Sequence, residues 1–472
     1  MTHKRLVPLI VAVALFMENM DSTVIATSLP AIAADLGTSP LALKLAMTSY
    51  LLSLAIFIPA SGWTADRFGA RTVFGAAIAV FIVGSIGCAF ANSLEAFVVA
   101  RIVQGMGGAM MTPVGRLVLV RTIDKRDLIN AMAWVTVPAL IGPIVGPPLG
   151  GFITTYTSWH WIFIINVPIG LVGILLVIRY IDPVRAEHVE PFDGIGMLLA
   201  GLGVAGLAFG LSVAGLDMLP WWMVTGLIVG GALFMTLYIL YARRVPAPVL
   251  DFSLLKIPTF RASVVGGFMF RLGIGALPFL LPLMLQTGFG LNPLQSGLVT
   301  FSAAVGALGM KAVAARLINR LGFRSILVSN ALIASVFLAL GATFTPSTPI
   351  LLIVAILLVG GFFRSLQFTA SNTIAFADID QRRMSRATAL TSVGQQLSLA
   401  TGVAIGAFVV EMTLRWKGET VITAADFAPA FVVISVISAM SVFVFARLPA
   451  DAGAELSGRV STKVADSSDQ RV

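Results

Sequence analysis

The 472 residues are 58% hydrophobic and only 11% charged, less than half the charged share of an ordinary soluble domain, which excludes one and leaves a polytopic membrane protein. The net charge of +9 lies in short Lys/Arg clusters between apolar runs, the pattern of a topology signal and not of a nucleic-acid surface. A single cysteine, Cys88, and three histidines, His3, His160 and His188, set at a terminus or in connections, exclude a disulfide framework and argue against a metal or histidine-based catalytic centre.

Fourteen apolar runs near the length a bilayer demands fall at 6–32, 43–62, 72–91, 96–117, 130–154, 161–181, 194–216, 221–241, 259–285, 294–317, 325–344, 350–376, 387–411 and 427–447. Pro or Gly interrupts the fifth, ninth and twelfth. The basic start at Lys4/Arg5 resembles a secretory signal, but the run after it continues through two acids to Pro30, which predicts an uncleaved first span. Alternate connections carry Lys4/Arg5, Arg67/Arg71, Arg121/Lys125/Arg126, Arg179/Arg185, Arg243/Arg244/Lys256, Arg316/Arg320/Arg324 and Arg382/Arg383/Arg386. The opposite connections offer mainly Lys44, Arg415 and Lys417, so both termini are expected in the cytoplasm. From Pro449 the chain turns small and polar, and 449–472 is expected to be a disordered tail.

The first run carries Glu18 and Asp21. Their spacing puts both on one helix face, with Asp21 about 22 Å along, near the middle of a hydrocarbon core about 30 Å thick. A carboxylate there is costly and must meet protein or a water-filled cavity, so the pair reads as a functional site. The alternative is a packing device held by another helix's arginine.

After the second run, Gly62-Trp-Thr-Ala-Asp66-Arg67-Phe-Gly69-Ala-Arg71 reads as a tight cytoplasmic turn. The glycines permit the reversal. Asp66 can meet a helix N-terminus or a basic partner and clamp the two halves of the molecule, while Arg67 and Arg71 also serve as topology charges. Arg101 lies inside the fourth run, Arg271 about 18 Å into the ninth and Arg364 about 22 Å into the twelfth, and none can face lipid. Lys311, in the tenth run, is nearer the cytoplasmic end, where its stem can snorkel. In the fifth run Gly142, Gly146 and Gly150 recur every four residues, a flat stripe that admits a neighbouring backbone. Pro143, Pro147 and Pro148 remove donors and bend the same helix.

Two halves emerge when the chain is slid along itself by 253 residues: Ala65-Asp66-Arg67-Phe68-Gly69-Ala70-Arg71 falls on Ile318-Asn319-Arg320-Leu321-Gly322-Phe323-Arg324. Arg101-x-x-Gln104 falls on Arg364-x-x-Gln367 at an offset of 263. The expected organisation is therefore a six-helix bundle over 1–181, a linker with two inserted helices over 182–257, a second bundle over 258–448 and the tail, a parallel repeat of the kind found in secondary transporters.

Four separated stretches carry a family likeness: Met20-Asp21-Ser22-Thr23-Val24-Ile25-Ala26-Thr27-Ser28-Leu29-Pro30, the turn from Gly62 to Arg71, Arg101-Ile-Val-Gln104-Gly105-Met-Gly107-Gly108-Ala109, and Gly142-Pro143-Ile-Val-Gly146-Pro147-Pro148-Leu-Gly150-Gly151. A fifth, Trp159-His160-Trp161-Ile-Phe-Ile-Ile-Asn166-Val-Pro168, follows the last of these. Together they resemble the major facilitator superfamily and, within it, the fourteen-helix drug:proton antiporters of the EmrB/QacA type in their MdtD-like branch. Ala70 departs from the pattern where a basic residue is usual, and Glu18 where an amide is.

The resemblance implies an all-α membrane fold of two six-helix bundles plus two inserted helices. It also implies a substrate:proton antiporter that exports drugs or metabolites from a bacterial cytoplasmic membrane by alternating access. Asp21, Glu18 and Arg101 would couple protons. Gln104, Arg271, Lys311, Arg364 and Gln367 would line the substrate cavity. Gly62, Asp66, Arg67, Gly69 and Arg71 would form the cytoplasmic gate, and Gly142, Gly146, Pro147, Gly150 and Gly151 the antiporter helix. A monomer driven by the proton gradient is expected, without cofactor, metal or nucleic acid. Its substrate is a lipophilic cation by resemblance, or an anionic or amphiphilic molecule by the excess of buried arginines. A channel or non-transporting sensor on the same scaffold is the competing class, disfavoured by the buried acid pair; a membrane enzyme lacks a catalytic constellation.

Overall fold

The computed structural model describes residues 3–123, 128–183, 189, 191–216, 218–419 and 421–456. Lys125, Arg126, Arg185, His188 and the tail from 457 onwards lie outside the described residues. Every regular element among them is helical. Among the described residues, thirteen helices are long and apolar enough to cross a membrane: α1 (Leu6–Thr27), α2 (Lys44–Phe68), α3 (Ala70–Ala89), α4 (Leu94–Thr122), α6 (Trp161–Tyr180), α7 (Gly194–Val213), α8 (Trp221–Ala242), α9 (Pro258–Gly288), α10 (Pro293–Leu321), α11 (Phe323–Thr343), α12 (Ile350–Ile374), α13 (Met384–Lys417) and α14 (Ala424–Phe445). The 29-residue helix Leu128–Tyr156, here α5, occupies the fifth expected span.

Three elements differ from the expectation in detail. α1 does not run on to residue 32: it tightens into a 3₁₀ turn at Ile25–Thr27, and a separate short helix begins at Leu29 with Pro30 in its first turn, where the missing N–H costs nothing. α5 keeps helical geometry through Pro138, Pro143, Pro147 and Pro148. α13 extends to Lys417, so Arg415 and Lys417 belong to its last turn, where cations complement the exposed carbonyls. Lys417 pairs with the fully buried Asp426 at 2.5 Å, and Asp426 closes a capping box with Thr423 at the start of α14.

Unit 1 comprises Met1–Val249 and Pro278–Phe301; unit 2 comprises Leu250–Leu277 and Ser302–Val472. In lipid the hydrophobic effect does not drive helices together, so close packing and interhelical hydrogen bonds must. In unit 1, Val11 and Leu15 of α1 meet Phe74, Ile78 and Phe81 of α3 and Met111, Val114 and Val118 of α4 in one buried cluster. The inserted pair α7–α8 also packs in this unit. Its backbones touch where Gly206 faces Gly231, and the fully buried Lys44 donates to the Ala214 carbonyl just past the end of α7 at 3.3 Å. Lys44 is therefore a helix-end anchor and not a solvated topology charge.

Unit 2 has its own core around Phe270, Met310, Phe323, Leu327 and Phe445. Ser263 donates to the Ser371 carbonyl at 2.6 Å and Ser438 to that of Phe270 at 2.8 Å. Asp251, in the connection before α9, accepts from Arg383 and from the Ser253 amide, both at 3.0 Å. Burial pushes its carboxyl up, but these bonds prevail and hold it below its ordinary value. Residues 451–456 form turns, with Ala454 buried.

The repeat has a backbone signature. Gly69 (φ +92°) and Gly322 (φ +79°), 253 residues apart, each break one span and open the next, a conformation in which a side chain is strained.

Candidate functional site

Asp21 is fully buried, and side chains of two other helices, α4 and α6, donate to it. From α4, Arg101 Nη1 donates to Asp21 Oδ2 at 2.7 Å and Gln104 Nε2 to Oδ1 at 2.8 Å. From α6, Asn166 Nδ2 donates to the same Oδ1 at 2.8 Å. Each amide also donates to Ser85 Oγ of α3, at 2.7 Å for Gln104 and 3.2 Å for Asn166. Arg101, 1% exposed, donates further to Gln104 Oε1 at 2.5 Å, and its guanidinium lies 4.2 Å from the centre of the Tyr50 ring of α2. A buried ion pair recovers its desolvation cost only when its remaining donors and acceptors are also satisfied. Here three donors from two helices surround one carboxylate.

The sequence identifies Asp21, Arg101 and Gln104. It does not single out Ser85 or Tyr50, and it names Asn166 only within the fifth family stretch, with no role; the available signal is that Ser85 and Asn166 are polar residues set in apolar runs. Gln104, expected to line a substrate cavity, belongs to the Asp21 network. Glu18 lies one turn before Asp21, partly buried, with Thr112 donating to its Oε2 at 2.6 Å.

The glycine stripe of α5 rests on α1. A Cβ at Gly142 would come within 2.9 Å of the Phe16 carbonyl oxygen and 3.0 Å of the Met20 nitrogen, and one at Gly150 within 2.8 Å of Thr27 Oγ1. Gly146 faces Thr23, and Thr27 donates to the Pro147 carbonyl at 3.3 Å. Gly151 lies against Leu294, where a Cβ would stand 2.8 Å from its Cα. The stripe thus holds the acid-bearing helix at backbone-contact distance.

At the turn after α2, Asp66 pairs with Arg121 in the last turn of α4, within unit 1, and Arg71 donates to the Ile178 carbonyl of α6 at 2.6 Å. Arg67 and Gly62 are exposed. Because Asp66 is 39% exposed, its pair contributes about 0–1 kcal/mol. Asp66→Asn is therefore expected to leave thermal unfolding nearly unchanged while lowering transport and raising labelling of engineered cysteines from the cytoplasmic side. The charge-swapped Asp66→Arg/Arg121→Asp variant should recover part of the activity. Unchanged labelling together with unchanged transport removes the turn from gating.

In unit 2, Arg271 is 2% exposed; its Nε lacks a hydrogen-bond partner among the described residues, and its guanidinium lies 5.9 Å from the Phe368 ring centre. Arg364 is one turn before Phe368 on α12. Lys311, exposed, donates to the adjacent Thr369 at 3.0 Å. Helices α9, α10 and α12 contain no Asp or Glu. Gln367 is fully buried and exchanges hydrogen bonds with α11, accepting from Asn330 at 2.9 Å and donating to the Leu327 carbonyl at 3.1 Å. Its role there parallels that of Gln104, three residues after the repeated arginine. Among the described residues there is no group of His, Cys, Asp and Glu fit to hold a metal ion.

The family model described as Major Facilitator Superfamily matches residues 11–260 and 263–464. The chain is 37% identical over 448 residues to a protein of Salmonella heidelberg named "Putative multidrug resistance protein MdtD", covering 94% of each chain. A relative of the same name in Salmonella typhimurium is 37% identical over 452 residues with the same coverage. Among solved structures, a D-xylose-proton symporter is similar with a TM-score of 0.67 at 15% identity, over 94% of this chain and 98% of that one. The human organic anion transporter MFSD10 gives 0.59 at 16% identity, over 94% and 99%. At these identities the structural likeness establishes the fold.

Proposed function

The chain belongs to the Major Facilitator Superfamily and is a multi-pass membrane transporter of small molecules, not an enzyme, and from that premise we propose that it is a proton-coupled exporter of the bacterial cytoplasmic membrane. Its termini lie in the cytoplasm, it acts as a monomer, and it works by alternating access, one bundle rocking against the other. The observation that carries this reading is the Asp21–Arg101 pair, sealed from solvent within a membrane span and enclosed by Gln104, Asn166 and Ser85. A protonatable group is retained at the bilayer centre at high cost, and the cost is met where protonation does work. Protonating Asp21 cancels the charge that holds Arg101, loosening α1 from α4, and the imposed gradient then sets the direction of transport. The names of the MdtD relatives support drugs as substrates. Uptake into proteoliposomes under an imposed pH gradient tests the reading: transport indifferent to the gradient refutes it.

One observation favours organic anions within the same function. Arg271 and Arg364 have no carboxylate within α9, α10 or α12, and Lys311 adds a third cation beside Thr369. Guanidinium groups bind carboxylate and phosphate through charge-assisted bonds, each worth about 1.5–3 kcal/mol, roughly ten- to a hundredfold in affinity. An anion such as p-aminohippurate is expected to displace a bound reporter at least as well as tetraphenylphosphonium, with Arg271→Ala and Arg364→Ala each weakening the anion by about tenfold. If only the cation displaces it, in the variants as in the wild type, the anion preference is wrong.

A further inference from the structure

Asp21 presents a difficulty for any proton-driven cycle. Its carboxylate is fully buried and occupied by three donors, so water does not reach it directly. Glu18, one turn away on the same face, is less completely enclosed than Asp21 and engaged by a single hydroxyl, that of Thr112. Tyr50 bears on both acids. Its side chain is 1% exposed, and its ring carries the Arg101 guanidinium that holds Asp21. Its hydroxyl has no hydrogen-bond partner among the described residues. That hydroxyl lies over the bare Cα of Gly108 on α4, together with Glu18: a Cβ at Gly108 would come within 3.0 Å of Tyr50 Oη and 3.7 Å of Glu18 Cγ. Glycine at this position makes the room they share.

We propose that Glu18 exchanges protons with the aqueous phase and that the Tyr50 hydroxyl passes them between Glu18 and Asp21. This rests on the proton-coupled reading and deepens it. A phenol both donates and accepts, so the step balances without an ion on the tyrosine. The Glu18 carboxyl O–H gives its proton to Tyr50 Oη as the phenolic proton leaves for an Asp21 oxygen. Glu18 ends as a carboxylate, Tyr50 is neutral before and after, and Asp21 is neutral and freed from Arg101. The reverse sequence discharges the site. The charged and titratable groups facing Glu18 are Asp21 on its own helix, Tyr50 from α2 and Arg116 from α4, with Arg101 of α4 reaching Tyr50 and Asp21. α5 brings no charged residue, and α6 none before Arg179.

Tyr50→Phe keeps the ring beneath Arg101 and removes only the unpartnered hydroxyl. The test is a rapid pH jump on the protein in lipid vesicles, followed by infrared absorption of the protonated carboxyl of Asp21. That band is assigned by its loss in Asp21→Asn or its shift in Asp21→Glu. Tyr50→Phe and Glu18→Gln are each expected to slow the appearance of the band by about tenfold or more, with no further slowing in the double variant and an unchanged final amplitude. Three results overturn the relay: an unchanged rate in Tyr50→Phe, a change in amplitude without a change in rate, which assigns the hydroxyl a structural role, or no Asp21 band at any pH. None of them depends on the proteoliposome experiment, so a transporter that proves indifferent to the gradient is distinguishable from one whose proton takes another route.

Discussion

Asp21→Asn is expected to abolish transport driven by a pH gradient. Asparagine keeps the size and can still accept a hydrogen bond from Arg101, but it cannot take up a proton, and it leaves a guanidinium that is 1% exposed without its counter-charge. Breaking a buried pair from one side costs about 3–5 kcal/mol, so part of the loss could come through the fold. The double variant Asp21→Asn/Arg101→Gln separates the two effects, because it removes both charges and leaves neutral amides that can bond to Gln104 and Asn166. It is expected to regain the thermal stability of the wild type and to remain unable to follow the gradient. Gradient-driven uptake by folded Asp21→Asn protein, verified by size-exclusion chromatography in detergent, removes Asp21 from the coupling step.

A single methyl group on the α5 stripe should be almost as damaging. Gly142→Ala brings a Cβ to 2.9 Å from the Phe16 carbonyl oxygen and 3.0 Å from the Met20 nitrogen. These are backbone atoms, which cannot rotate aside as a side chain can, so α1 itself must move. Overpacking of this kind costs about 1–3 kcal/mol. The functional cost is larger than the stability cost, because the displaced helix carries both Glu18 and Asp21, and the bonds to Asp21 at 2.7–2.8 Å tolerate little shift. Most gradient-driven transport should be lost while the protein still purifies as a single species. Gly226→Ala and Gly230→Ala are the controls: nothing lies within 4 Å of a Cβ at either, and neither has positive φ, so both should transport as the wild type does. Equal activity in Gly142→Ala and these controls defeats the argument that α1–α5 contact sets the acid geometry.

What could be read in the chain was what each segment carries by itself. A segment in hydrocarbon must satisfy its own backbone, so it declares itself by length and apolarity, and fourteen runs were legible with no knowledge of their neighbours. The spacing of Glu18 and Asp21 is equally local. So is the pairing of Gly69 with Gly322, since a helix break at positive φ calls for glycine at each copy of the repeat. The choice of partners is different, because it depends on which faces meet after the helices have formed. Lys44 and Arg67 look alike as charges beside apolar runs, yet one is fully buried against the end of α7 and the other is exposed. Asp66 could have met any cation; it meets Arg121. Asp21 draws donors from residues 80, 83 and 145 positions away, and the hydroxyl of Tyr50 comes beside Glu18 only because α2 and α4 pack at a glycine. Helices form from contacts three and four residues apart, whereas a buried charge is satisfied by whatever the packing of several helices brings within 3 Å of it. The acids were therefore evident from the chain alone, and the tertiary structure decided what holds them.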